Sequence, residues 1–166
     1  MNEAEHAYTP PLDTAAGTIP EKVARYLDGT NLLTKTQALR LSTINAEGWP
    51  HAALLSAGEI LALPSGRLRF AMFPQSGTVG NLARDSRLTL SLSLDGGMQE
   101  LWLRARRLAN SATDIPLAFF EAEVERSRVH VAPYAVVTTG VTFALHEPDA
   151  VLPRWQRQIV ALRAAS

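Results

Sequence analysis

The chain has 166 residues, 46% of them hydrophobic, with sixteen basic and sixteen acidic side chains and no cysteine. That length suits one domain, which buries roughly 70% of the surface its unfolded chain would expose. Zero net charge removes any global attraction to nucleic acid or an anionic membrane, and the missing thiols exclude disulfides, thiolate zinc sites, iron–sulfur clusters and cysteine nucleophiles.

No apolar run approaches the ~18 residues of a membrane span. No basic start leads into an apolar stretch, so a secretory signal is not expected. Without disulfide staples, the expected compartment is the cytoplasm. Residues 1–17 are polar and broken by Pro10 and Pro11. They read as a mobile arm or a strap on a partner subunit, ahead of a single domain over residues 18–166. Thr18-Ile19-Pro20-Glu21 has capping-box spacing. Ile19, Val23, Tyr26 and Leu27 then recur at helical spacing up to Gly29.

From Ala38 the period becomes two. Leu39 to Asn45 predicts a strand, Ala46-Glu47-Gly48 a turn, and Pro50 to Ala57 a second strand, apolar on both faces and therefore buried. The sheet continues over Glu59–Leu63 after a kink at Gly58. Pro64-Ser65-Gly66 turns the chain into a strand over Arg67–Phe73. Leu88 to Leu94 alternates leucines with hydroxyls, as in a half-buried antiparallel strand. Asp95-Gly96-Gly97 makes the hairpin, and Leu101–Arg106 returns with Leu101, Leu103 and Ala105 on one face. Asp114 reads as the cap of a helix through Ile115, Ala118, Phe119 and Ala122. A last strand is expected over Gly140–Leu145, and a C-terminal helix carries Leu152, Trp155, Ile159 and Leu162 on one stripe. The fold class is therefore mainly β (α+β), an antiparallel barrel of about six strands with peripheral helices.

The chemistry concentrates at residues 70–85. An apolar strand (Phe70, Ala71, Met72, Phe73) runs into Ser76, which can cap a short helix beginning Gly77-Thr78-Val79. Uncapped amides at a helix start, together with the positive end of its dipole, attract phosphate. Gly77 lets a ligand oxygen approach the backbone.

The order of these segments resembles the pyridoxamine 5'-phosphate oxidase-like family. The matching stretches are Leu41-Ser42-Thr43-Ile44, Gly48-Trp49-Pro50, Ala52-Ala53-Leu54-Leu55, Ser76 through Asn81-Leu82, Arg87 through Leu92, and Leu103-Arg104-Ala105-Arg106. The resemblance spans about residues 38 to 110. It implies a split β-barrel that dimerises, with FMN in each cleft between subunits, and hence an FMN-dependent oxidoreductase. Ser76, Gly77 and Thr78 would meet the flavin phosphate. Phe70, Met72 and Phe73, with the strand at Ala52 to Leu54, would line the ring and ribityl chain. His51 is placed to hydrogen-bond the cofactor or a substrate, and Asn81 belongs to the helix motif. Two positions depart from the pattern: Thr78 stands where many members carry Lys, and Ala53 where the best-studied oxidases carry a phosphate-binding Arg. Another cation must then serve, the candidates being Arg67 and Arg69, Arg104 and Arg106, or Arg84 and Arg87. Arg154 and Arg157 read as the polar side of the last helix. No catalytic acid or base stands out, and four scattered histidines predict no metal site. The alternative is a non-catalytic dimeric binding or sensing module on the same barrel, with weak or no flavin affinity, accommodating heme or another flat ligand.

Overall fold

The computed structural model describes residues 8–14, 17–109 and 114–166. Eight strands form one antiparallel sheet: β1 (Leu12–Asp13), β2 (Leu39–Ile44), β3 (Pro50–Leu55), β4 (Ile60–Ala62), β5 (Leu68–Met72), β6 (Arg87–Leu94), β7 (Gly97–Arg107) and β8 (Ala118–His130). Among the described residues, three α-helices accompany it, α1 (Glu21–Tyr26), α2 (Gly77–Arg84) and α3 (Pro148–Ala164), with a short 3-10 turn at Leu32–Thr34. Strand order is β3-β2-β6-β7-β8-β5-β4, with β1 on β8. The sheet curls into a half-barrel, so the expected mainly β split barrel is the fold.

Two apolar clusters hold it. Leu39, Leu41, Leu68, Phe70, Leu90, Leu101, Leu103 and Phe120 fill the inside of the curl. Leu61, Ala71, Phe119, Trp155, Ile159 and Leu162 join the outer face of β4, β5 and β8 to α3. The β6–β7 hairpin closes through Asp95 and Gly96, both at positive φ (51° and 81°), the two-residue turn whose twist suits the strands.

Four expectations change. The segment from Ile115 is no helix: Ala118–His130 is the longest strand. Phe120, Ala122 and Val124 face the barrel while Phe119 faces α3, and burial on both sides imitates a helical stripe. Residues 140–145 form no strand; they lie along residues 36–38 through a single bridge, Gln37 to Thr142. The strand β3 is not buried on both faces but is the sheet edge, with Pro50, Ala52 and Leu54 exposed. The first helix has Pro20 as its N-cap and no side-chain cap bond, so Thr18 does not close a capping box.

Within the segment read as an arm, Leu12 and Asp13 pair with Val129 and Arg128 of β8. Residues 1–7 and 15–16 lie outside the described part.

Candidate functional site

The strand β5 ends at Met72, and Phe73 to Gln75 carry the chain to α2. Ser76 is the N-cap, its Oγ accepting from the Val79 amide at 3.4 Å. The Gly80 amide reaches the Ser76 carbonyl at 3.3 Å, while those of Gly77 and Thr78 donate to no described residue. The helix start therefore keeps two amides without a partner among the described residues where the sequence predicts three, Gly77, Thr78 and Val79: the Val79 amide is taken by the Ser76 cap, and Thr78 is buried. Asn81 locks α2 in place: it is buried, gives Nδ2 to Thr43 Oγ1 (2.9 Å) and accepts from Arg84 at 2.6 Å.

His51, Ala53 and Leu55 share the inward face of β3 with their partners Thr43, Leu41 and Leu39. The His51 ring packs on the helix start, since a Cβ on Gly77 would lie 3.3 Å from its Nε2. A side chain at Gly77 needs that ring to give by a few tenths of an ångström. The His51 Nδ1 is buried without a partner.

Beside this helix start opens a cleft of about 1530 Å³. Its walls are the end of β3 (Leu54, Leu55), the end of β5 (Ala71, Met72, Phe73), Ser76, residues 114–117 and one face of α3. Phe73 and Leu54 are 63% and 52% exposed and form an apolar floor. Among the predicted residues, Ser76, Met72 and Phe73 line the cleft, and Gly77 and His51 meet beside it. Phe70 does not reach it; fully buried, it stacks on Phe120 with ring centroids 5.2 Å apart. Thr78 is buried and Ala53 packs against the barrel core.

The direction of α3 decides which of its residues face the helix start. Arg69 of β5 donates to the carbonyls of Leu162 (2.9 Å) and Arg163 (3.2 Å), so the end of α3 lies beside the start of β5. Trp155 packs on Gly58, and the Ala71 amide donates to the neighbouring Glu59 carbonyl. Thus α3 runs antiparallel to β5, and its first half sits level with the end of β5, where the chain leaves for α2. Arg154 lies in that half and Arg157 and Gln158 follow just past the middle of the helix; all three line the cleft. Sequence reading placed these arginines on the helix but could not orient them, because the direction of α3 depends on long-range contacts of Arg69 and Gly58.

No protein-family model matches the chain. It is 33% identical over 153 residues to the uncharacterized protein YclD of Bacillus subtilis (strain 168), covering 86% of this chain and 94% of YclD. Among solved structures, a candidate pyridoxamine 5'-phosphate oxidase of Lactobacillus delbrueckii superposes with a TM-score of 0.53 at 16% identity, covering 69% of this chain and 97% of that one. HupZ of Group A Streptococcus gives 0.52 at 13% identity, over 72% and 99%. These likenesses place the fold among the pyridoxamine 5'-phosphate oxidase-like split barrels.

Proposed function

The chain belongs to the same family as YclD of Bacillus subtilis, and from its split-barrel fold and the geometry of the cleft we propose that it is an FMN-dependent oxidoreductase working as a homodimer. The carrying observation is that Ser76, the cap of α2, lines a cleft together with exposed Leu54 and Phe73, and that the amide of the exposed Gly77 next to it has no partner among the described residues.

The residues present fit a phosphorylated flavin. The amides and helix dipole suit a phosphate, and the apolar floor suits a planar ring. Bound FMN supplies the redox chemistry. The protein binds the phosphate, seats the ring and limits water. The candidate oxidase among the solved structures supports this reading through fold alone.

Titration of the apo-protein with FMN, followed by quenching of flavin fluorescence, tests it. Saturable binding at micromolar levels or tighter is expected, lost when Ser76→Ala is combined with Gly77→Asp, which sets a carboxylate at the phosphate. A wild-type protein that neither quenches FMN nor is stabilised by it would leave the binding-module alternative in possession of the barrel.

A further inference from the structure

Resting on FMN as the ligand, we propose that its phosphate is held between two elements, with Arg154 and Arg157 of α3 supplying the positive charge that α2 and β3 lack.

The other arginines that the sequence offered are committed elsewhere. Arg67, Arg69 and Arg106 all bind Glu121. Arg104 pairs with Glu125 and Arg87 with Asp85. Arg84 holds the Asn81 carboxamide. Arg154 and Arg157 make no ion pair or hydrogen bond among the described residues, and both line the cleft that Ser76 borders.

They are three positions apart, on neighbouring turns of one helix surface. A guanidinium offers forked donors that match phosphate oxygens. The helix dipole alone contributes only about 0.3–1 kcal/mol toward an anion, so the open amides need such partners. Gln158 adds an independent sign of a ligand at the same place. It lines the cleft at 7% exposure, and its Oε1 has no hydrogen-bond partner among the described residues. Beside a phosphate, that oxygen suits a ribityl hydroxyl.

Two carboxylates also face the cleft, Glu59 and Asp114. One oxygen of Glu59 is already held by the Ser56 amide (2.7 Å) and hydroxyl (2.9 Å). Their repulsion of a phosphate makes both arginines necessary.

Riboflavin, which lacks the phosphate, separates this assignment from general flavin binding. Titrations compare FMN and riboflavin on the wild type, on Arg154→Gln with Arg157→Gln, and on Arg163→Gln, an exposed arginine of the last turn outside the cleft lining. The wild type is expected to prefer FMN. The double variant should lose FMN affinity by about a hundredfold or more, the loss of two charged hydrogen bonds, with riboflavin affinity and thermal midpoint unchanged. Arg163→Gln should bind FMN as the wild type does. An unchanged FMN affinity in the double variant, equal losses for both ligands, or an equal loss in Arg163→Gln overturns the assignment. A wild type that binds neither flavin fails differently, by removing the FMN reading itself.

Discussion

Glu121 shows how far a single buried charge can redirect its neighbours. It is 4% exposed and accepts from Arg67 Nη1 (2.8 Å), Arg69 Nε (2.9 Å) and Arg106 Nη2 (2.7 Å). Burial alone would raise its pKa, but the three guanidinium hydrogen bonds outweigh that and hold it at about 2. A carboxyl depressed in this way stabilises the fold above the ordinary carboxylate range, and the contribution disappears as pH falls toward 2. Glu121→Ala should cost near the lower end of about 3–5 kcal/mol at neutral pH, because Arg67 and Arg106 can still turn to water. Urea denaturation at pH 7 and pH 3 checks this: the wild type should lose stability over that interval and the variant much less. Equal pH dependence would remove Glu121 as the cause. The same cluster explains why the cation of the site was illegible in the sequence. Alternation puts Arg67 and Arg69 on one strand face, but the sequence pattern places Glu121 in a helix, which hides its claim on them. Ser76, whose capping role depends on local spacing alone, was legible.

Elements defined by local pattern, such as β6 with its alternating leucines and the Asp95-Gly96 turn, form as read. Those defined by what packs on them do not. The strand β8 imitates a helix because both of its faces are covered, and β3 imitates a buried strand because its outer face is apolar yet lies at the sheet edge. The sequence makes Gly58 a strand kink; in the structure it admits α3. A Cβ there would lie 2.2 Å from Trp155 Cγ and 2.4 Å from Cδ2, atoms of a rigid ring. Gly58→Ala should therefore destabilise by at least about 1–3 kcal/mol, and Trp155→Ala by about 3–5 kcal/mol. The two together should cost less than their sum, since the added methyl then occupies space the indole has left. Thermal or urea unfolding of the double-mutant cycle reads the coupling, and strict additivity would mean that Gly58 does not seat α3. Because α3 carries Arg154 and Arg157, Gly58→Ala should also weaken FMN binding.

For the whole molecule, the unsolved surface is the free edge of the sheet. The strand β3 pairs with β2 on one side and with no described strand on the other. Its residues, Pro50 to Leu55, carry no acidic or basic group apart from His51. Natural edges are usually blunted by charge, bulges or covering segments. Here the surroundings are apolar instead: Ile44, Trp49 and Leu54 are 47%, 68% and 52% exposed, with Phe73 nearby in the cleft. An exposed apolar patch marks an interaction surface, and the proposed homodimer would cover it, with Leu54 shared between the patch and the cleft. The expected species in solution is a dimer, twice the 18.0 kDa of the chain, measured by light scattering on a sizing column. Ile44→Lys, outside the cleft lining, should yield a folded monomer, because its side chain is on the outer face of β2 and carries none of the barrel core. If FMN sits between subunits, that monomer should also bind FMN more weakly. A wild type that elutes as a monomer at micromolar concentration would show that the edge tolerates exposure, and the cleft would then have to hold its ligand within one chain.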